Sequence, residues 1–207
     1  MTDLARRTRT GLLYGLAALV VAIAPWPVSA VVLLGVGALA AGELFALRRA
    51  GIAALAEGAL LATGLVALLW LRLIGSGALV FVLLATWAAD VGAYLVGSRF
   101  GSRKLAPRLS PAKTWEGTIG GFLAAGLTVL AVGAAANTPD EWTVTLTLAL
   151  LIGPAALAGD LLESYVKRRA GVKDSGSILP GHGGILDRID SLLAVAVLAV
   201  AVAAPGL

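Results

Sequence analysis

The sequence predicts an all-α fold: a polytopic membrane bundle of about seven transmembrane helices with its N-terminus in the cytoplasm. Three observations carry this prediction: a large apolar excess, seven runs of spanning length, and basic residues gathered on one side. Of the 207 residues, 59% are hydrophobic and only 14% are charged, and the mean hydropathy is +0.93. A soluble domain carries roughly 45–50% apolar and about 25% charged residues. The excess is too large for one small core, and it excludes a disordered chain. The chain has no Cys, so a disulfide framework and a zinc–thiolate site are both excluded.

A membrane span needs about 20 mainly apolar residues, within roughly 17–25. Such runs fall at about 11–26, 28–47, 51–71, 77–97, 117–136, 142–163 and 189–206. The first is short and ends at Pro25-Trp26-Pro27, which suits an exit turn better than a helix interior. A cleaved signal peptide is the rival reading of residues 1–30, but it would move every later basic loop outside. With the N-terminus inside, 15 of the 16 Lys and Arg residues share one side and only Arg72 lies on the other. Basic residues of short loops stay in the cytoplasm, so the net charge of +4 is a topology signal. It is not a nucleic-acid footprint. Trp26, Trp70 and Trp142 near outer ends and Trp115 near an inner end fit an aromatic belt, whereas Trp87 falls mid-span. The chain reads as a single membrane domain over 1–207, with N-terminal spans in 11–75 and the catalytic spans and loops in 77–207.

Ionisable residues inside spans are costly and face polar cavities. Glu57 is near the inner end of its span and reads as reaching the interface. Glu43 lies about one turn before Arg48 and Arg49 and reads equally as a structural ion pair or a site residue. Asp90 sits in Trp87-Ala88-Ala89-Asp90-Val91-Gly92, inside an apolar helix, and is a candidate site residue. Further on, Asp160, Glu163, Ser164 and Lys167 are spaced i, i+3, i+4, i+7, which puts all four on one helix face. A polar face of this kind at a helix end should line a wet cavity.

Residues 173–190 surround the only His with glycines, which permit tight turns and close backbone approach to a ligand. Successive N–H groups in such a turn can form an anion-binding nest. Asp187 and Asp190 open the last span, where one carboxylate would serve the helix dipole and two beside Arg188 exceed that need. The other long loop, 98–116, combines basic residues with hydroxyls and glycines, a composition suited to phosphate or to anionic lipid heads. Carboxylates hold a hard cation such as Mg²⁺, which in turn holds phosphates. Phosphoryl-type transfer at the cytoplasmic surface is the chemistry these residues suggest.

The residues also carry a longer pattern. From Ser164 the chain reads Ser, two residues, Lys167-Arg168, four residues, Lys173-Asp174, a short turn, Pro180-x-His182-Gly183-Gly184, and Asp187-Arg188-x-Asp190. This resembles the signature of the phosphatidate cytidylyltransferase (CDP-diacylglycerol synthase) family. Asp90 through Gly97 and Ser110 through Gly117 look like that family's upstream block, so the resemblance covers about residues 87–190. It implies attack of the phosphate of phosphatidic acid on the α-phosphorus of CTP, with release of pyrophosphate. The metal ligands it implies are Asp160 and Asp187, with Asp90 and Asp190 as further ligands or as supports just behind them. Mg²⁺ is the implied cofactor, with a second cation left open. Lys167, Lys173 and Arg188 would neutralise phosphate charge during the reaction. Ser110, Lys113, Thr114, Ser164, Arg168, His182, Gly183 and Gly184 would bind substrate, His182 either touching a phosphate or bracing its turn. The implied partners are CTP, phosphatidic acid, the bilayer and a second copy in a homodimer. The implied location is a bacterial-type inner membrane with the site on the cytoplasmic side.

A CTP-dependent lipid kinase is the nearest alternative, since the Gly-x4-Gly-Lys-Ser/Thr pattern of ordinary P-loop kinases is absent. A small transporter would call for internal repeats and midplane charges, which the sequence lacks. A lipid-binding structural protein would leave Asp160, Asp187 and Asp190 without a role. The charge asymmetry makes a direct prediction. A cysteine introduced at Ser102, unique in this chain, is expected to react with an impermeant maleimide only after the cytoplasmic face is opened. Labelling in intact cells would invert the topology.

Overall fold

The computed structural model describes residues 3–136, 142–179 and 183–203. It contains seven α-helices: α1 (Asp3–Ile23), α2 (Trp26–Ala46), α3 (Ile52–Ile74), α4 (Ser76–Phe100), α5 (Trp115–Ala136), α6 (Trp142–Arg169) and α7 (Leu186–Ala203). Five of them, α2 to α6, are long and apolar enough to cross a membrane by themselves. The apolar part of α1 is shorter, Gly11–Ile23, and α7 begins with charged turns at Asp187, Arg188 and Asp190. Each helix overlaps one predicted run. The exit turn at Pro25 is the boundary between α1 and α2, with Pro27 in the first turn of α2, where a missing N–H costs nothing.

Outward faces carry Leu, Ile and Val in quantity: Ile52, Leu150 and Val31 are all at least 70% exposed. Such a surface would aggregate in water and is at home in hydrocarbon. Successive helices run in alternate directions, so every Lys and Arg from Arg48 to Arg188 except Arg72 gathers at one end of the bundle. Arg72 serves the other end. Its Nε donates to Ser29 Oγ at 3.1 Å and its guanidinium also reaches the Ala24 carbonyl, which ties α3 to the α1–α2 turn.

The loop between α4 and α5 is more ordered than its composition suggests. It folds into an antiparallel hairpin of β1 (Lys104–Ala106) and β2 (Ser110–Thr114), with a bulge between the pairs Lys104–Thr114 and Ala106–Ser110. Glu116 pins its base, accepting the Ser102 hydroxyl at 2.6 Å and the Ser102 and Arg103 amides at 3.2 Å. A second difference concerns Glu57. It does not reach the interface but is fully buried, with no hydrogen-bond partner on either carboxylate oxygen among the described residues. The reason is position: α3 packs against α2, α4, α6 and α7, and Glu57 lies with Ala53 and Ala54 on its buried face.

Small residues set the helix spacing. Gly92 and Gly120 let α4 and α5 touch backbone to backbone, as is usual where packing and not water drives association. A Cβ at Gly92 would stand 2.5 Å from Ala124 Cβ and 2.8 Å from the Gly120 carbonyl oxygen. Gly92→Val should therefore cost about 1–3 kcal/mol, seen as a lower unfolding midpoint in detergent. Gly35→Ala, where nothing lies within 4 Å of the added carbon, should leave the midpoint unchanged or raise it.

Candidate active site

The hairpin and the α4–α5 contact form one wall of the site. Thr114 caps α5: its Oγ1 accepts the Gly117 amide at 3.1 Å, and its carbonyl accepts the Thr118 hydroxyl at 2.9 Å. That satisfies one of the orphan donors of the helix start and fixes the direction of the preceding residue, Lys113. The Lys113 ammonium reaches across to Asp160 of α6 in an ion pair, each side chain 26% exposed. Behind the pair lies a cavity of about 350 Å³ lined by Asp90, Lys113, Thr114, Asp160 and Ser191 and by small and apolar residues of α4, α5 and α6. Ser110 is half-buried at the start of β2.

Three carboxylates converge beside this cavity. One oxygen from each of Asp160, Glu163 and Asp190 lies within 4.8 Å of the others. Glu163 is 1% exposed and its Oε1 has no hydrogen-bond partner among the described residues. Asp190 is buried too, and its Oδ1 accepts the Ser191 amide at 2.7 Å. The helices come this close because residue 159 is glycine; a Cβ there would stand 2.5 Å from the Asp190 carbonyl oxygen. Carboxylates so placed repel one another unless a cation or a shared proton intervenes. An all-oxygen donor set with one orphan atom has the chemistry of a hard divalent cation site.

A second constellation adjoins the first. Lys167 Nζ lies 2.5 Å from Glu163 Oε2 and 2.5 Å from Asp187 Oδ1. Asp187 Oδ2 accepts the amides of Gly184 at 2.7 Å and Ser175 at 3.0 Å. Both Asp187 oxygens are thus engaged by the protein itself, while the carboxylates that meet Asp160 are Asp190 and Glu163. The described end of the glycine turn, from Gly183 on, is likewise occupied. Ile185 and Leu186 donate their amides to Glu43 at 3.0 and 2.9 Å, so the expected anion nest holds the protein's own carboxylates. Glu43 turns to α7, not to Arg48, whose guanidinium stacks on Phe45.

The remaining predicted residues fall around this centre. Ser164 is buried and its hydroxyl lies 3.5 Å from Asp160 Oδ1. Arg168 bridges two loops, donating to the carbonyls of Leu109 at 3.2 Å and Val172 at 2.8 Å. Lys173 is exposed in the turn after α6. Gly183 has φ +82°, a left-handed conformation that glycine adopts without strain. His182 lies outside the described residues. Exposed Arg188 borders a second, larger cavity of about 720 Å³ between α1, α4 and α7, where its carbonyl accepts the Tyr14 hydroxyl at 3.1 Å. Leu12, Leu16, Leu19, Trp87 and Leu192 give that cavity apolar walls, and Asp90 and Ser191 border both cavities. The metal-ligand geometry of Glu163 escaped the sequence reading although it stands one turn from Asp160. The sequence marks Glu43 as an ionisable residue in a span, but nothing near it in the chain points to its partners at the start of α7.

Residues 50–204 match the family described as the cytidylyltransferase family. The chain belongs to that family. It is 49% identical over 124 residues to a phosphatidate cytidylyltransferase of Brucella suis biovar 1, covering 60% of this chain and 46% of the relative. It is 48% identical over 120 residues to the enzyme of that name from Haemophilus influenzae, covering 56% and 42%. The corresponding match in Bacillus subtilis is 48% over 109 residues, covering 53% and 40%. The chain matches less than half the length of each of these relatives. This cytidylyltransferase-family chain thus keeps Asp160, Glu163, Lys167 and Asp187 inside the matched region, whereas Glu43 precedes it.

The two lysines should differ in their effect on stability. Lys167→Met leaves Glu163 and Asp187, 1% and 5% exposed, without their cation, a loss of about 3–5 kcal/mol. Lys113→Met removes a partly exposed pair worth about 1 kcal/mol or less. Unfolding midpoints of the two variants in the same detergent check this order.

Proposed function

We propose that this chain condenses CTP with phosphatidic acid to give CDP-diacylglycerol and pyrophosphate, at the cytoplasmic face of a bacterial inner membrane. The observation that carries the reading is the pair of cavities on either side of Asp90. The smaller is bounded by Lys113, Asp160 and Thr114; the larger carries Leu12, Leu16, Leu19 and Leu192 on its walls, with Asp187 and Arg188 at its edge. Two compartments with a shared border suit a water-soluble polyanion and a membrane-held lipid that must meet. The positive-inside distribution of charge supports the cytoplasmic assignment. The family resemblance supports a homodimer as the working unit.

In this reaction a phosphate oxygen of phosphatidic acid forms a bond to the α-phosphorus of CTP. The bond from that phosphorus to the oxygen bridging it to the β-phosphorus breaks, and pyrophosphate leaves. The nucleophile is already an anion, so catalysis rests on alignment and charge neutralisation. The donor set Asp160, Glu163 and Asp190 suits Mg²⁺, which when bound would screen the charge of the phosphates. Asp90, on the border of both cavities, completes the acidic wall. Lys113, on the cavity wall, supplies positive charge to the triphosphate, and its pairing with Asp160 keeps it poised there. Asp187 acts through Lys167, which it holds against Glu163. Lys173 and Arg188, both exposed, are free to meet phosphates from the solvent side.

Purified protein in detergent, given labelled CTP, phosphatidic acid and Mg²⁺, is expected to form CDP-diacylglycerol and pyrophosphate. Release of CDP with a newly phosphorylated lipid would instead identify a CTP-dependent kinase. Asp160→Asn and Glu163→Gln should each abolish turnover, with no additional loss in the double variant because they disable one site. Lys113→Met should lower kcat/KM at least about tenfold, or 1.4 kcal/mol of transition-state stabilisation, while remaining folded. Near-normal turnover of the Asp160 variant at limiting Mg²⁺ would remove the metal assignment.

A further inference from the structure

We propose that Glu43 of α2 is a positioning residue for this active site: its carboxylate holds the start of α7 and the preceding turn, and so sets where Asp187 and Lys167 stand. Only the kinetic readout of this inference rests on the activity proposed above. Glu43 is 8% exposed and accepts three hydrogen bonds. Its Oε1 takes the Ile185 amide at 3.0 Å, and its Oε2 takes the Leu186 amide at 2.9 Å and the Ser175 hydroxyl at 3.0 Å. These amides are among those a helix start leaves without intrahelical partners. A negative charge there is also favoured by the helix dipole. The cap comes from a residue more than 140 positions away in sequence.

The local sequence is shaped around this carboxylate. A Cβ at Gly176 or at Gly184 would collide with it, so the two glycines provide the space that Glu43 fills. Ser175 then passes the constraint on: its hydroxyl goes to Glu43 and its amide to Asp187 Oδ2 at 3.0 Å. Asp187 Oδ1 in turn holds Lys167, which holds Glu163. One continuous polar chain therefore runs from α2 through the turn to the carboxylates of α6. All three groups facing Glu43 are donors, so an amide side chain of the same shape would set its own N–H₂ against at least one of them. Releasing the turn would shift Asp187 and Lys167, and a misplacement of about 1 Å from outside the reacting centre can cost about 10²-fold in rate.

The test uses the full-length protein in detergent with Glu43→Gln, and Ser175→Ala as a milder companion that removes one of the three donors. Hydrogen exchange of the Ile185 and Leu186 amides is read by mass spectrometry, and kcat and KM for CTP are measured on the folded fraction. The expected result for Glu43→Gln is exchange at those two amides accelerated at least about tenfold. It is joined by a kcat loss of about 10²-fold with little change in KM for CTP, because Lys113 and its cavity wall are untouched. Ser175→Ala should give a smaller change of the same pattern, and it decides the matter alone if Glu43→Gln fails to fold. Unaltered exchange in the variants overturns the proposal. So does faster exchange with wild-type kcat, which would make Glu43 a cap and nothing more. If the wild-type protein forms no CDP-diacylglycerol, the activity reading fails, and the exchange data alone decide whether Glu43 braces the turn.

Discussion

The sharing of Lys167 between Glu163 and Asp187 is the interaction on which the basic end of this bundle depends. Taking carboxylates out of water costs several kcal/mol each unless a cation and hydrogen bonds replace the lost hydration. Here one ammonium, 2.5 Å from each carboxylate, serves helices α6 and α7 at once. Backbone amides of Ser175 and Gly184 complete the shell of Asp187. Among the described residues Glu163 keeps one oxygen without a partner. The charge balance is therefore tight on the Lys167 side and open on the side facing Asp160 and Asp190. That asymmetry gives the carboxylate cluster the chemistry of a hard-cation site.

The rest of the fold brings these groups within reach. Carboxylates on two helices meet only if the backbones approach, and Gly159 lets the α6 backbone lie against Asp190. Gly92 and Gly120 do the same for α4 and α5, which carries the hairpin inward until Lys113 reaches Asp160. In a membrane no hydrophobic force drives helices together, so close van der Waals packing of small residues takes its place. The glycines that draw these backbones together are thus part of the construction of the site. Glu116 and Thr114 add direction, the first by fastening the hairpin base and the second by capping α5.

The two cavities follow from the same arrangement. Asp90 stands on α4 between them, with Lys113 and Asp160 on one side and the α1 face on the other. The two compartments share a border at Asp90 and Ser191, and the Lys113–Asp160 pair stands on the wall of the smaller one.

Much of this was legible in the sequence, for identifiable reasons. Spans are set by local hydrophobicity and length, so seven helices could be read at about the right places. The one-face spacing of Asp160, Glu163, Ser164 and Lys167 is a property of a single helix, and it held. Charge asymmetry likewise needs no tertiary information. Partner choice does need it. Asp187 is engaged by Lys167 and two amides, Glu163 joins Asp160 and Asp190, and the glycine turn is filled by Glu43 because of how α2, α6 and α7 pack. Glu57, near a helix end by its position in the sequence, is buried because it lies on the face of α3 that meets the other helices. Local sequence determined which residues are helical, which are polar and which end they occupy. Only the packing of helices far apart in the chain decided which charge neutralises which, because ion pairs and caps depend on distances of a few ångströms that no spacing along the chain encodes.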